Sequence, residues 1–345
     1  MNNQFGSMQL EGRGILGIEP NELAAPIEVL VELTWDCNLK CMHCMMNASY
    51  NEDQCRKRVN ELSLDELKKL IDQWSEMGVV HIDWSGGEPL LREYIYELIA
   101  YGNSKNVKSC LLTNTTLIDD NVAKKLKEVG VYKVEANLDG PNAEVYDQFR
   151  GVKGAFEKTI HAIKALVRND IPLRVNTMFC KLIYPHFRET IELAASLGIK
   201  EVCLSPLRLA GQTMNHYHDL VFSPIEYAEV LSEVVNLKIE IQEKYRDVLV
   251  LFLGDDQIDS YINPAKVFPS CGAGRLHCTV GADGSVRPCP AFPVENQFIA
   301  GNVRDKDFAT IWNEGEIFKK LRSPHIKGCY NCETHECVGG CRVQA

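Results

Sequence analysis

The chain has 345 residues, which is enough for one large or two modest domains. Its 37 Lys and Arg against 47 Asp and Glu give a net charge of −10, so a protein that follows the phosphate backbone of a nucleic acid is disfavoured. No apolar run is long enough to span a membrane, and residues 1–26 are polar and lack the apolar core of a secretory signal. We therefore expect a cytoplasmic protein with neither a nucleic-acid nor a membrane partner.

Short apolar strands alternate with amphipathic helices from residue 27 to about residue 207. The predicted strands are 27–33, 79–83, 109–113, 131–138, 172–179 and 200–205. The predicted helices are 64–77, 90–101, 119–129, 155–168 and 187–197. Six strand–helix units of this kind predict a parallel sheet with right-handed crossovers.

Helix boundaries are marked at two places. Ser63 and Glu66 have the spacing of a capping box before the first helix, and Gly78 ends that helix. A second strong start, Ser223-Pro224, predicts a helix to about residue 245, followed by a strand over 248–253. Residues 208–222 are irregular. The predicted domains are an N-terminal extension (1–26), a barrel (27–222), a bridging helix and strand (223–262) and a C-terminal domain (263–345).

Fourteen cysteines are distributed unevenly along the chain. Three lie between residues 37 and 44, and seven follow residue 270: Cys271, Cys278, Cys289, Cys329, Cys332, Cys337 and Cys341. Clustered cysteines without a secretory signal indicate metal or cluster binding rather than disulfides. The scattered remainder are interpreted as small apolar core residues: Cys55, Cys110, Cys180 and Cys203.

The tightest group is Cys37, Cys41 and Cys44, in a loop that follows the first predicted strand. Three thiols at this spacing are too close for a disulfide framework and one short of a closed four-ligand site. Iron–sulfur clusters are normally held by thiolates, and a 4Fe–4S cluster with three protein ligands keeps one iron open. Zinc with a distant fourth ligand, or three ordinary thiols, remain alternatives at this point.

The C-x3-C-x2-C loop, together with Gly86-Gly87-Glu88-Pro89 after the second strand, resembles the signature of the radical SAM superfamily. The resemblance implies a partial (β/α)6 TIM-like barrel whose active site lies at the carboxyl ends of the strands. It also implies a 4Fe–4S cluster and S-adenosylmethionine as cofactors. One electron through the cluster would cleave S-adenosylmethionine to a 5′-deoxyadenosyl radical, which abstracts a substrate hydrogen. A flavodoxin or ferredoxin would supply the electron.

The same resemblance implies residues that contact S-adenosylmethionine. The glycine motif would meet its amino group, Arg150 would pair with its carboxylate, and the asparagines at two strand ends would bind its carboxylate or ribose. The set is His43, Gly86, Gly87, Glu88, Asn137, Arg150 and Asn176. Turn chemistry, a solvated arginine and strand-end capping are the alternatives for these positions. The residue that acts on the substrate is not identified. Cys180 and Cys203 are candidate hydrogen donors, and His216 and His218 are candidate substrate contacts.

The C-terminal cysteines, with the turn at Gly284 and the helix that contains Trp312, resemble a SPASM domain, an extension that binds two auxiliary 4Fe–4S clusters. By this resemblance one cluster has Cys271, Cys289 and Cys341, with Cys278 as a fourth ligand, and the other has Cys329, Cys332 and Cys337. The pattern usually has one more cysteine further on, and this sequence ends at Ala345. Either the sequence is shortened or the second cluster has an open iron. By count alone the last four cysteines also fit zinc.

Three functions fit these features. The first is an enzyme that crosslinks, oxidises or epimerises a peptide or protein; no leader-binding domain is recognisable before the barrel, so we expect a separate partner to supply one. The second is a small-molecule enzyme that alters a tetrapyrrole or heme side chain. The third is a zinc-stabilised α/β binding protein, which the glycine motif disfavours.

Overall fold

The computed structural model describes residues 23–48, 60–252 and 271–322. Ten strands in these ranges build the framework. They are β1 (Glu28–Thr34), β2 (His81–Gly86), β3 (Lys108–Leu112), β4 (Lys133–Asn137), β5 (Leu173–Phe179), β6 (Glu201–Pro206), β7 (Leu249–Phe252), β8 (His277–Val280), β9 (Ser285–Arg287) and β10 (Gly301–Asn302).

Eleven α-helices lie in the same ranges. They are α1 (Leu64–Met77), α2 (Ile95–Ser104), α3 (Asp120–Glu128), α4 (Ala143–Arg150), α5 (Ala155–Arg168), α6 (Phe187–Ser196), α7 (Gln212–Asn215), α8 (Tyr217–Leu220), α9 (Pro224–Lys244), α10 (Phe308–Glu314) and α11 (Glu316–Arg322). Short 3-10 turns occupy Pro89–Leu91, Tyr184–His186 and Asn296–Phe298. None of these helices is both long and apolar enough to cross a membrane.

All ten strands belong to one sheet, in the order β10-β9-β8-β1-β2-β3-β4-β5-β6-β7. The strands from β8 to β7 run parallel, and β9 and β10 add an antiparallel hairpin edge. The two outer strands, β10 and β7, are not paired with each other, so the barrel-like sheet is unclosed. The predicted fold, a partial parallel α/β barrel, is therefore confirmed.

Two parts of the chain assigned to other predicted domains join this sheet. The strand predicted in the bridging segment is β7, which lies parallel to β6. The hairpin predicted around Gly284 begins with β8, which lies parallel to β1. The C-terminal region and the barrel thus share hydrogen-bonded backbone, while the domain boundaries themselves stay predictions.

Burial alternates along the strands. In β2, Ile82 and Trp84 are fully buried against the helices, whereas His81 and Asp83 are half-buried on the other face. This period of two is what a sheet with helices on one face requires. The helix-facing side chains form two apolar clusters, one under β1 to β3 and α1 to α3 and one under β5 to β7 with α6 and α9. The barrel interior is left to polar side chains.

The helix starts follow the predicted capping chemistry. Ser63 and Glu66 form a capping box on α1, and Gly78 ends that helix in a left-handed conformation. Ser223 and Glu226 form a second box on α9.

Three predictions of secondary structure were wrong. The helix expected over 90–101 is a 3-10 turn followed by α2, because the chain turns after Pro89. Helix α4 was not predicted, although Asn142 caps it. The segment 208–222, predicted as irregular, contains the short helices α7 and α8.

Candidate active site at the carboxyl end of the barrel

The cysteine loop, residues 37–44, follows β1 at the carboxyl end of the sheet. Its backbone is held by the last turn of α4. Lys40 N donates to Arg150 O at 3.1 Å, and Met42 N donates to Phe149 O at 3.0 Å. Helix ends leave carbonyl groups without intrahelical partners. The loop supplies donors for them, so α4 fixes where the thiols lie.

Two glycines allow other segments to approach this loop closely. Gly151 has a φ of +70°, and a Cβ there would lie 2.1 Å from Lys40 O. Gly211 has a φ of +57°, and a Cβ there would lie 2.4 Å from Cys44 O. The next residue, Gln212, donates its N–H to the same carbonyl at 2.9 Å. The thiols are therefore carried by a backbone that is packed from two sides.

The glycine motif packs against the segment that leads into the cysteine loop. Gly87 N donates to Thr34 O at 2.7 Å, and Glu88 N donates to Asp36 O at 2.8 Å. A Cβ on Gly87 would lie 2.0 Å from Asp36 O, and one on Gly86 would lie 2.3 Å from Thr34 O. These glycines are needed for contact between two backbones, whatever else they bind.

Glu88 is fully buried and its carboxylate is occupied by protein donors. It accepts hydrogen bonds from Thr113 Oγ1 at 2.8 Å, Asn114 N at 2.8 Å and Leu90 N at 3.0 Å. Burial raises the pKa of Glu88 to about 7, against the effect of these hydrogen bonds. In this structure Glu88 joins the turns after β2 and β3.

The three thiols are half-buried, and their charges are close enough to act on one another. Burial, and then the charges of Cys41 and Cys44, raise the pKa of Cys37 to about 11. Burial also raises the pKa of Cys41, while the Arg150 guanidinium opposes that rise. Asn114 Nδ2 lies 3.8 Å from Cys37 Sγ and Arg150 Nη1 lies 3.6 Å from Cys41 Sγ. Polar donors thus approach two of the sulfurs.

Arg150 is buried in an ion pair. Its side chain is 4% exposed, and its Nη2 bonds to Asp139, which is 0% exposed. The other oxygen of Asp139 accepts from Met178 N at 2.6 Å. The guanidinium predicted to bind the cofactor carboxylate therefore already faces Asp139 and Cys41, and this placement favours support of the cysteine loop.

Besides Arg150 Nε, two buried polar atoms near the loop have no hydrogen-bond partner among the described residues. One is Asn176 Oδ1, whose amide nitrogen donates to Glu135 Oε2 at 3.2 Å. The other is Nδ1 of His43, a ring that stacks on Phe149 with a centroid separation of 4.5 Å. Asn137 lies beside Asn176 in the register of β4 and β5. Buried polar groups rarely stay unpaired, so these atoms point to a polar ligand.

A second pair of thiols lies in the C-terminal region. Cys271 and Cys289 are half-buried, pack on one apolar cluster with Phe292, and are near enough for the charge of Cys271 to act on Cys289. Cys278 lies elsewhere, fully buried on β8 in the main apolar core. Its placement favours a packing role over ligation. The predicted ligands Cys329, Cys332, Cys337 and Cys341 lie outside the described residues, as does Cys55.

A buried ion pair connects the two cysteine regions. Arg287, two residues before Cys289, bonds to Glu32 Oε1 on β1 and donates to Phe292 O at 2.7 Å. The other oxygen of Glu32 accepts from Trp35 Nε1, at 3.0 Å, in the segment before Cys37. One carboxylate therefore orients groups in both regions.

Comparison with known proteins agrees with this geometry. Residues 31–194 match the model of the radical SAM superfamily, and residues 271–333 match that of an iron–sulfur cluster-binding domain, SPASM. The AdoMet-dependent heme synthase of Methanosarcina barkeri is 33% identical over 334 residues, which cover 93% of this chain and 92% of that protein. The chain belongs to the radical SAM superfamily. It is an enzyme with a C-terminal SPASM domain, as the sequence motifs indicated.

Other relatives of this radical SAM enzyme have different names. The mycofactocin maturase MftC of Mycolicibacterium smegmatis is 31% identical over 92% of this chain and 79% of that protein. The crystal structure of Streptococcus suis SuiB bound to its precursor peptide SuiA has a TM-score of 0.77 at 19% identity, over 94% of this chain and 74% of SuiB. At that identity the likeness shows the fold alone.

The residues present fit the cofactors of the superfamily. All nine cysteines of the described residues are free, and Cys37, Cys41 and Cys44 are grouped so that they would hold a 4Fe–4S cluster with one iron open. The unpaired Asn176 Oδ1 suits a hydroxyl or amine of S-adenosylmethionine. When bound, this pair of cofactors supplies a carbon radical that removes a hydrogen atom from the substrate.

The protein's own contribution is positioning and protection. The backbone contacts of Gly151 and Gly211 fix the cysteine loop, and the buried Arg150 places positive charge beside Cys41. Burial, and then Arg150, hold the pKa of His43 well below its usual range, so its ring is neutral. These groups orient the cofactor and leave the hard chemistry to it.

Several residues that matter to the site were not identified from the sequence. Gly151 and Gly211 gave no local signal, because their contacts are with a loop far away in the chain. Asn114 follows β3, and its amide donates to Asn38 Oδ1 at 2.8 Å, a contact between two residues 76 positions apart.

The scattered thiols are confirmed as core residues where the structure describes them. Cys110, Cys180 and Cys203 are all buried, and burial raises the pKa of Cys180 to about 12. This favours the packing interpretation of Cys180 and Cys203 over a role as hydrogen donors. His218 is exposed in α8, and His216 is half-buried between α7 and α8.

Proposed function

We propose that this radical SAM enzyme modifies a side chain of a tetrapyrrole. The observation that carries the proposal is the identity with the heme synthase of M. barkeri, which extends over nearly the whole of both chains. From the sequence alone, peptide modification ranked first and tetrapyrrole modification second. The length and level of this similarity support the tetrapyrrole as the substrate that we propose.

The segment after β6 has surface properties that suit such a substrate. Leu209, Met214 and Tyr217 are 48%, 53% and 42% exposed, which provides apolar surface for a flat macrocycle. Burial raises the pKa of the Cys289 thiol, and Arg208 lies close enough for its charge to oppose that rise. An arginine at this edge suits the carboxylate side chains that natural tetrapyrroles carry.

The proposed reaction requires iron–sulfur clusters and an electron donor. We assign the open-iron cluster to Cys37, Cys41 and Cys44 and an auxiliary cluster to Cys271 and Cys289, completed by cysteines beyond the described residues. The electron comes from a flavodoxin or ferredoxin. The location is the cytoplasm, where free thiolates are kept reduced.

The test uses anaerobically purified protein with reconstituted clusters and S-adenosylmethionine. An iron porphyrin with propionate side chains should bind, as judged by a shift of its absorbance, and its mass should change as 5′-deoxyadenosine forms. The Cys37→Ala variant should bind the porphyrin with the same absorbance shift. It should neither change the mass of the porphyrin nor form 5′-deoxyadenosine. Absence of porphyrin binding, or 5′-deoxyadenosine that forms at the same slow rate with and without porphyrin, would overturn the proposal.

A peptide substrate is the second candidate, favoured by the similarity to the maturase MftC. The same assay discriminates between the two candidates. If the substrate is a peptide, the peptide accelerates 5′-deoxyadenosine formation and loses mass, whereas the porphyrin neither accelerates that formation nor changes in mass.

A further inference from the structure

The amino end of the barrel, opposite the cysteine loop, carries a group of metal-ligating side chains. Glu28 is the first residue of β1, and in the sheet it lies between His81 of β2 and His277 of β8. Asp83 lies two residues after His81, on the same face of β2. Parallel register therefore brings together two carboxylates and two imidazoles from three neighbouring strands.

The distances within this group are those of a ligand set. His81 Nε2 lies 3.2 Å from Glu28 Oε2 and 3.7 Å from Asp83 Oδ1. One ligand atom from each of Glu28, His81 and Asp83 lies within 4.8 Å of the others. Their side chains are 34%, 27% and 16% exposed, so an ion can reach them from solvent.

The charges around this group are unbalanced. Elsewhere in the barrel interior, Lys133 and Arg174 both pair with Glu201, and Arg174 also pairs with Glu135. Glu28 and Asp83 have no Lys or Arg salt-bridge partner among the described residues; they contact each other and His81, and the Cys110 thiol also approaches Asp83. Two carboxyl groups that face each other beside an imidazole, with no Lys or Arg between them, form a site whose negative charge a divalent cation can neutralise.

We propose that Glu28, His81 and Asp83 bind a divalent transition-metal ion, Zn²⁺ or Mn²⁺, with His277 as a neighbouring imidazole. A mixed set of imidazole and carboxylate ligands suits these ions, whereas iron–sulfur clusters take thiolates. The site is separate from Cys37, Cys41 and Cys44, which follow β1 at the other end of the strands. The bound ion joins β1 to β2 beside β8, the strand through which the C-terminal region enters the sheet.

Mn²⁺ is the probe, because it avoids thiolates and its free form is counted directly by electron paramagnetic resonance. The anaerobic, cluster-loaded full chain is titrated with Mn²⁺. We expect about one bound ion per chain. His81→Ala and Glu28→Gln should each weaken binding by at least about tenfold. Zn²⁺ should displace the bound Mn²⁺.

Glu201→Gln is the matched control, because it removes a carboxylate from the same end of the barrel that already has Lys133 and Arg174 as partners. It should bind Mn²⁺ like the parent. Circular dichroism and iron content show whether each variant is folded. If a variant is not folded, the number of Mn²⁺ ions bound by the parent protein still tests the proposed site. No uptake by the parent at millimolar Mn²⁺, or unchanged uptake by both ligand variants, would overturn the proposal.

Discussion

The two ends of the barrel are built by different means. At the carboxyl end, the cysteine loop is fixed mainly by backbone hydrogen bonds and by glycines that let chain segments touch, with one buried ion pair behind it. At the amino end, half-buried charged side chains from neighbouring strands face one another, as in Arg174 with Glu201. The carboxyl end depends on close backbone contact, and the amino end on pairing of charges.

This difference has a physical reason. A cluster ligand has to keep its position when the charge of the cluster changes, and a packed backbone moves less than a long side chain. Charged side chains at the amino end keep part of their solvent exposure, so each pair there contributes little to stability. Substitutions at the two ends should therefore have effects of very different size.

The largest effect is expected at Gly151. Gly151→Ala places a methyl group 2.1 Å from Lys40 O, so the cysteine loop has to move. A displacement of this size should lower S-adenosylmethionine cleavage at least about 100-fold. Iron content and 5′-deoxyadenosine production measure it.

The matched control is Gly154→Ala, three residues away, with a φ of +81° and no atom within 4 Å of the added group. It should cost about 1 kcal/mol of backbone strain and leave cleavage unchanged. Equal losses in both variants would show that backbone conformation, not contact with the loop, is what matters.

Arg150 comes next. Arg150→Leu leaves the carboxylate of Asp139 buried without its partner, which should lower the free energy of unfolding by about 3–5 kcal/mol. Loss of positive charge beside Cys41 should also lower the reduction potential of the cluster, measured by a redox titration of its paramagnetic signal.

Lys133→Met provides the comparison from the amino end. Glu201 keeps Arg174 as a partner, so the free energy of unfolding should fall by no more than about 1 kcal/mol, with the cluster potential unchanged. A loss as large as that of Arg150→Leu would contradict the contrast between the two ends.

The pH dependence of stability tests Glu88. Burial raises its pKa from 4.5 to about 7, so between these values the folded protein binds more protons than the unfolded chain. The contribution of Glu88 to the free energy of unfolding is therefore fully present below pH 4.5. It falls as the pH rises towards 7, by up to about 1.4 kcal/mol per pH unit.

Unfolding in urea at several pH values measures this slope. Glu88→Gln should remove it, whereas Glu144→Gln, an exposed position in the first turn of α4, should retain it. A slope shared by the parent and Glu88→Gln would assign the effect to another group.

A smaller effect on the cofactor than that of Gly151→Ala is expected at Asn176. Removing its unpaired carbonyl oxygen in Asn176→Ala should raise the dissociation constant for S-adenosylmethionine about tenfold, the value of one hydrogen bond. Equilibrium dialysis of the cluster-loaded protein measures it. Asn169→Ala, at the end of α5, should bind S-adenosylmethionine as the parent does. Unchanged binding by Asn176→Ala would show that this oxygen does not face the cofactor.

Much of the carboxyl end could be predicted from the sequence, because its signals are local. Cys37, Cys41 and Cys44 lie within one loop, and Gly86 and Gly87 follow one strand. The capping box at Ser63 and the helix start at Ser223 were predicted in the same way and are present. These features depend on residues that are close together in the chain, so the sequence shows them directly. The alternation of strands and helices was sufficient to predict the barrel fold.

Contacts between distant parts of the chain were not predictable. Position 151 requires glycine because the Lys40 carbonyl lies against it. In the cysteine loop, the side chain that Arg150 approaches is Cys41. The group at Glu28 and His81 exists because two strands pair in one register. Sequence periodicity gives the faces of a strand but not the register between strands, so these neighbours appear only in the folded chain.

The pairing of β1 with β8 has a consequence for how the protein is made. Glu28 is hydrogen-bonded into the sheet beside His277, so the first strand needs a partner that is synthesised roughly 250 residues later. At ordinary rates of translation one edge of β1 stays open for roughly 10 to 50 seconds. During that time the nascent chain exposes an unpaired strand edge beside the loop that carries Cys37. An unpaired strand edge is a template for aggregation, so this interval of synthesis is when the chain is most exposed to it.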